Sequence, residues 1–442
     1  MPKRIATIFL LMILMLDAIA QEKLNYAEVD RRSYQLFQEN KWPELIQFAA
    51  EAREQGIDFF YLQVRTGIAW YNQGKYRNAA QWFLKAYKND NSFEWLQEYL
   101  YYSLVFSGRS TEAAKYAPRF PDAVKKKIGF RETGISRLAY ETGYSFNPDF
   151  ASLETRDFKT EVNLGEDYGE GYFLKNYSFH SIDISHRVAA NFTLNHNLTY
   201  IGVNREAVVD WSEKTKASIR INQFNYYINP VWLIGNKLNI SPSLNLILGS
   251  GDVYAGYINR NLSRSYQLTK TNYTDAVVST ALWSDFSNFS PGLEFNAAKI
   301  NDSKFAQMSA WVTYYPLSNA RLYFTPRVYF KSGNESVGWN AAGISGGATL
   351  GKINIYGNYL WGQMENFIES AGYVIANFPG RSDRKMMASV FFPINRKYQF
   401  VIRYMNQHVI EKYQVYTNGF KTNSLEYNYL KNTLTAGISW NF

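Results

Sequence analysis

Cysteine is absent from the 442 residues. Structural disulfides, iron–sulfur clusters and thiolate zinc sites are thereby excluded, and so is a lipid anchor on an N-terminal cysteine. Long apolar runs are scarce as well. Beyond residue 21 none approaches the roughly 20 residues a spanning helix needs. Basic clustering is equally thin. The net charge is +9, but no basic run is longer than Lys125-Lys126-Lys127. With no zinc-finger or RNA-binding signature, nucleic acid is not an expected partner.

Aromatic residues are what the chain has in quantity. They make up 17% of it, with 35 Tyr. Tyrosine suits positions that are half apolar and half wet. At the N-terminus Lys3 and Arg4 precede the apolar stretch 5–16, and Ala18-Ile19-Ala20 follows. That plan is a secretory signal peptide over 1–20, with cleavage expected before Gln21. A secreted chain without a membrane helix is expected to be either soluble or a closed barrel.

From Asn25 to about Ala117 the hydrophobic period is helical. A step of 34 brings Asn40, Gly74 and Gly108 into register, and Leu45 with Ala79 and Ala113. Pairs of antiparallel helices repeat at this step in tetratricopeptide arrays. In the middle copy Gly67, Trp70, Gly74, Ala79, Phe83 and Ala86 are the candidate packing residues. Small ones let helices approach, and large ones fill the next groove. Residues 21–117 are therefore expected to be a TPR-like helical domain. Pro118 and Pro121 open an expected linker over 118–134.

From residue 135 to 442 the period changes to two. Apolar residues alternate with polar ones over 158–164, 191–200, 217–222, 321–331, 353–361 and 398–405. The polar side is rich in Asn, Arg, Lys and Tyr, and aromatics recur at strand ends. A wet lumen and aromatic girdles fit a transmembrane barrel better than a soluble sandwich. Short turns such as 393–396 and a long polar loop over 255–274 give the expected asymmetry. The chain ends in LKNTLTAGISWNF, where Leu434, Ala436, Ile438, Trp440 and Phe442 form an apolar comb. Such a strand is expected to pair with the first one and to face lipid, because an open edge would aggregate. With both ends on one side the strand number is even. Roughly 20–24 residues per strand and loop gives about 14, within 12–16. The expected fold class is α + β in separate domains, a helical solenoid before an antiparallel barrel.

Chemical motifs are weak. Gly346, Gly351 and Lys352 match a P-loop spacing, but Ile353 stands where Ser or Thr is needed, and a strand continues. His180 beside Ser181 is no catalytic pair, since strand neighbours point to opposite faces. No enzyme activity, metal or cofactor is expected. The inward face is the remaining candidate: Lys216, Arg220, Arg321, Arg327, Lys331, Lys352, Lys385 and Arg403, opposed by Glu161, Asp183 and Glu294. A basic lining would favour anionic cargo, and charges that brace a filled barrel are the alternative.

The repeat residues around Gly67 to Ala86, followed by strands that end at Phe442, resemble known two-part proteins. Exopolysaccharide export porins, YaiO-type barrel proteins and surface lipoprotein assembly modifiers have this plan. Trp440 and Phe442 resemble the C-terminal signal read by barrel-insertion machinery. The resemblance implies an outer-membrane barrel with a periplasmic helical module that recruits a protein partner. It implies transport or export of a polymer or protein. A non-conducting envelope scaffold is the second expectation, and an outer-membrane enzyme the third.

Overall fold

The computed structural model describes residues 24–442 apart from 166, 212, 236, 261–263, 333–336, 396 and 419. The expected signal peptide, 1–20, lies outside the described residues. The chain forms two compact units, one chiefly from residues up to 129 and one chiefly from 130 onward. No helix among the described residues is long and apolar enough to cross a membrane.

The first unit consists of helices α1 (Tyr26–Gln38), α2 (Trp42–Glu54), α3 (Phe60–Asn72), α4 (Tyr76–Asn89), α5 (Glu94–Phe106), α6 (Ser110–Tyr116) and α7 (Asp122–Ile128). The step of 34 is visible in their starts: 26, 60 and 94 for the first helix of each pair, and 42, 76 and 110 for the second. Asn40, Gly74 and Gly108 each lie just past a first helix with φ of 55°, 70° and 82°. They end it in the left-handed conformation that Gly and Asn adopt most cheaply. Asn25 caps α1 by accepting a hydrogen bond from the Glu28 backbone N–H. Ala79, Phe83 and Ala86 are fully buried. A Cβ on Gly67 would lie 2.6 Å from the Phe83 ring, so that glycine admits the ring against α3. Trp70 is partly buried under Lys75, whose Nζ sits 5.0 Å from the ring centroid. The 118–134 stretch is more ordered than a linker. Pro121 stands just before α7, and Gly129 ends it with φ of 66°.

The second unit is a closed antiparallel barrel of 14 strands, each paired with its sequence neighbours and β1 with β14. They are β1 (Gly134–Phe146), β2 (Tyr168–Ala189), β3 (Phe192–Asp210), β4 (Lys214–Ile234), β5 (Leu238–Ile258), β6 (Arg264–Ser284), β7 (Phe289–Ile300), β8 (Ser303–Tyr314), β9 (Leu322–Ser332), β10 (Val337–Leu350), β11 (Ile353–Glu369), β12 (Val374–Pro393), β13 (Tyr398–Thr417) and β14 (Phe420–Asn441). The terminal comb closes the ring, with Leu138 opposite Trp440 and Tyr144 opposite Leu434. Along β14 Leu434, Ile438 and Trp440 are exposed, while Thr433, Thr435 and Ser439 are buried. Leu246, Phe295, Val328, Ile355 and Ile402 repeat that outward exposure on other strands. Apolar outside and polar inside inverts the soluble pattern. The ring is closed by β1 on β14, so such a surface suits acyl chains.

Two expected elements are different in the structure. The 158–164 stretch is not a strand. Between β1 and β2 the chain forms α8 (Phe150–Thr155) and α9 (Phe158–Glu161). Asp157 begins α9 by accepting from the Thr160 N–H, a cap that a two-residue period conceals. The long loop over 255–274 is a hairpin in which Ile258 pairs with Arg264. Residues 267–272 are exposed on both faces, so their polarity marks strand beyond the apolar band, not loop.

Candidate functional site: a filled lumen

The lumen is occupied by the barrel's own chain. β11 pairs with β10 only as far as Gly362, and β12 pairs with β13 only from Arg381 onward. Between those points the two arms pair with each other, Phe367 with Ala376 and Ile368 with Ile375. Both departures occur at glycines with positive φ, 131° at Gly362 and 94° at Gly380. A Cβ at Gly362 would lie 2.4 Å from the Asn340 carbonyl oxygen. At Gly380 it would lie 2.4 Å from the Ile410 carbonyl oxygen. The hairpin can therefore leave the wall only where side chains are missing.

Its tip is held by polar side chains from strands around the ring. Ser243 Oγ and Tyr227 Oη donate to the Ala371 carbonyl, at 2.5 and 3.3 Å. Asn245 Nδ2 donates to the Gly372 carbonyl at 2.8 Å. Gln307 receives the Ile368 N–H at 3.2 Å and donates to its carbonyl at 2.6 Å. Tyr373 Oη donates to Asp183 at 2.9 Å. The Asn, Gln and Ser of the inner face thus replace the neighbouring strand that the hairpin's backbone has given up. Phe367 and Ile368 are fully buried inside, the former against Tyr329, Leu360 and Met364.

A second apolar cluster, around α8 and α9, sits at the β1–β2 end, on the face of β3 and β4 that carries Val208 and Lys216. Leu153, Phe158 and Leu164 bury against Phe173, Val208, Tyr413 and Tyr427. The Phe158 and Tyr413 rings stack with centroids 4.8 Å apart. There the start of β2 also pairs across to β13, with Glu170 opposite Gln414.

The eight basic candidates separate into three groups. Arg327, Lys385 and Arg403 point inward, and each meets a carboxylate: Glu294 at 2.9 Å, Glu369 at 2.5 Å and Glu141 at 2.8 Å. Lys331 also points inward and donates to the Glu365 carbonyl of the hairpin at 2.6 Å. Lys352 and Arg321 are exposed in the turns before β11 and β9, not along the lumen. Lys216 and Arg220, expected inward, lie on the outer face of β4, while Ile219 is buried within. The phase is reversed because this end of β4 lies where the outer face is polar. Lys216 pairs with Glu154 of α8 at 2.9 Å. Of the opposing acids, Glu161 pairs with Arg156 at 2.6 Å, away from the basic candidates.

Sequence reading missed the most buried pair. Arg205 and Glu411 are each 4% exposed at the side chain. The guanidinium donates to both carboxylate oxygens, at 3.2 and 2.9 Å. Tyr427 and Tyr429 hydroxyls complete the carboxylate at 2.8 and 2.9 Å. Two ions this far from water need every lone pair and proton satisfied. The lining is therefore a set of compensated charges. Trp440 and Phe442 are on the outer surface, stacked at 4.3 Å. The P-loop spacing is a strand, a tight turn at Gly351-Lys352, and another strand. Ser181 is buried inward beside Thr199, and His180 is outward, bonded to Tyr140.

No protein-family model matches the chain, and no curated protein matches it by sequence. Among solved structures it is similar to the P. putida toluene transporter TodX, at 9% identity and a TM-score of 0.46, over 74% of this chain and 92% of that one. A Pseudomonas aeruginosa FadL homologue gives 8% and 0.44, over 77% and 94%. A bacterial polysaccharide outer membrane secretin gives 8% and 0.33, over 69% and 98%. Similarities of this size carry no argument about cargo.

Proposed function

We infer that the chain is an outer-membrane transport protein whose barrel is closed at rest by its own β11–β12 hairpin. The observation that carries this reading is the hairpin between Gly362 and Gly380, which fills the lumen yet is held at its tip by exchangeable hydrogen bonds. Water can replace each of those bonds at a small net cost. The apolar exterior supports a place in the lipid, and the signal-like N-terminus supports export to the envelope. A small solute needs only displacement of the hairpin.

The helical unit fits a tetratricopeptide-type docking module in the periplasm, supported by the 34-residue recurrence of its helix starts. Its role is recruitment of a protein partner. Affinity capture with the full chain, compared with a chain lacking 22–117, tests that assignment by mass spectrometry.

The compensated lumen charges favour a second reading, a non-conducting scaffold. One experiment separates the two. The chain has no cysteine, so Gly372→Cys with Ser279→Cys supplies the only thiols. A Cβ at 372 would lie 2.8 Å from Ser279 Oγ, close enough for a disulfide. In planar bilayers, transport predicts opening events in the reduced protein that vanish on oxidation. Silence in both states supports the scaffold and overturns transport.

A further inference from the structure

Every inward cation discussed above has an acceptor, and Lys431 is the exception. It lies on the inner face of β14 and is 7% exposed. No carboxylate within ion-pair distance and no hydrogen-bond acceptor meets its ammonium among the described residues. Its neighbours are two aromatic faces. Nζ is 4.4 Å from the Phe378 centroid and 5.7 Å from that of Tyr177. Ring faces attract a cation, but they do not replace three hydrogen bonds from water. A buried charge without a partner is costly enough that its retention needs a reason.

Lys431 lines a cavity of about 170 Å³, together with Phe378 and Tyr177, the two rings that flank its Nζ. Leu174, Ile201, Val203, Ile221 and Ile375 give it apolar walls. Its other polar groups are already committed. Gln223 Oε1 accepts from Tyr273 at 2.9 Å and from Asn377 at 2.8 Å. Arg205 is held by Glu411, and the Tyr429 hydroxyl donates to the same carboxylate. One donor group is thus left over, and it is positive. A wider cavity of about 700 Å³ shares Arg205, Ile221 and Pro379 with the small one. It is lined by Glu170, Asp252 and Lys412 among others, and its polar walls make it a vestibule.

The geometry points to a binding site for a small organic monocarboxylate, its anionic head on Lys431 and its apolar body against the branched side chains. Apolar cavities of about 150 Å³ hold a benzene-sized ring, so the size fits benzoate or a short-chain carboxylate. A dicarboxylate does not fit, because the walls offer no second cation that is free. The ligand would touch β2, β3 and β4 on one side and Phe378 on the hairpin arm on the other. Occupancy therefore bears on the hairpin's position. The site itself stands on the cavity and the lysine, whether or not the barrel transports.

The test uses the full chain in lipid nanodiscs and equilibrium dialysis with labelled benzoate. Benzyl alcohol serves as the neutral probe of the same shape. Wild-type protein should bind benzoate at least tenfold more tightly than benzyl alcohol. Lys431→Met should abolish that preference and leave benzyl alcohol binding unchanged, while Lys431→Arg should retain it. Folding of each variant is read from the mobility shift between heated and unheated samples on a detergent gel. Equal binding of the two probes by wild-type protein overturns the site without any variant. So does a folded Lys431→Met protein that still prefers benzoate, or an absence of benzoate binding. Loss of the barrel in Lys431→Met leaves the wild-type comparison and Lys431→Arg to decide.

Discussion

A lumen packed with protein and a lumen filled with water predict different energetics for the same ion pair, and Arg205–Glu411 tells them apart. In the structure both side chains are 4% exposed, and the carboxylate receives four hydrogen bonds, two from Arg205 and one each from Tyr427 and Tyr429. Glu411→Leu leaves a buried guanidinium with no counterion, and Arg205→Met leaves a buried carboxylate with only two hydroxyls. Removal of one partner from a buried pair costs about 3–5 kcal/mol. The double variant carries no ion. Tyr427 keeps the Tyr172 carbonyl as acceptor at 3.4 Å, so the main residual cost is the Tyr429 hydroxyl, about 1–3 kcal/mol if water cannot reach it. The singles therefore sum to about 6–10 kcal/mol, while the double costs about 1–3 kcal/mol. The expected coupling is about 3 kcal/mol or more. The assay is urea unfolding of the full chain in lipid vesicles, with the folded fraction of the barrel taken from gel mobility. Additivity within about 0.5 kcal/mol would mean that water screens the pair. That result would refute the filled lumen, and the closed barrel with it.

Two further outcomes follow from local geometry. Gly380→Ala places a methyl 2.4 Å from a backbone oxygen at φ of 94°. The strain, about 1–3 kcal/mol, falls on the hairpin's bend and not on the wall pairing that starts at Arg381. Bilayer recordings should show leak conductance in this variant and none in Gly357→Ala, whose added Cβ meets nothing closer than 3.9 Å. In the helical unit, burial among Tyr76, Tyr99 and Tyr102 raises the Tyr71 phenol from its ordinary value near 10 to about 12. A raised folded value means the contribution is whole below the unfolded value and is lost as pH climbs from 10 to 12. Helical circular dichroism of the full chain should fall over that window, and Tyr71→Phe should flatten the loss.

The barrel was legible because the lipid imposes one rule on every spanning strand. The comb from Leu434 to Trp440 and the alternation of 321–331 have the inside-out phase that the structure displays. The rule ends where the lipid ends. At Lys216 and Arg220 apolar residues turn inward, and a phase carried over from mid-membrane strands points the wrong way. At 158–164 Phe158, Val162 and Leu164 also fit a short helix, and Asp157 three residues before Thr160 is a cap signal. The inward hairpin left the faintest trace. Its arms read as ordinary strand, and only Gly362 and the Pro379-Gly380 pair interrupt them. Glycine and proline inside a strand mark a bend without saying which way it bends. Arg205 and Glu411 lie 206 residues apart, and no local pattern brings them together.

The inward hairpin and the α8–α9 insert are built from opposite materials, and that difference bears on which one can move. The α8–α9 insert rests on stacked aromatic rings and branched side chains. Withdrawing it would expose apolar surface at about 25 cal/mol per Å². The hairpin tip rests on Ser243, Tyr227, Asn245, Gln307 and Asp183, and each of these bonds can be exchanged for one to water at a net cost of about 0.5–1.5 kcal/mol. Its arms stay paired to one another through Phe367–Ala376 and Ile368–Ile375, and a swing at Gly362 and Gly380 gives up only the Met364–Ser382 and Glu365–Arg381 pairs. Phe367 and Ile368 oppose the swing, because they must leave their burial. The balance makes the hairpin the movable part and the insert the fixed one. The cavity under Lys431 lies against the movable part, at Phe378.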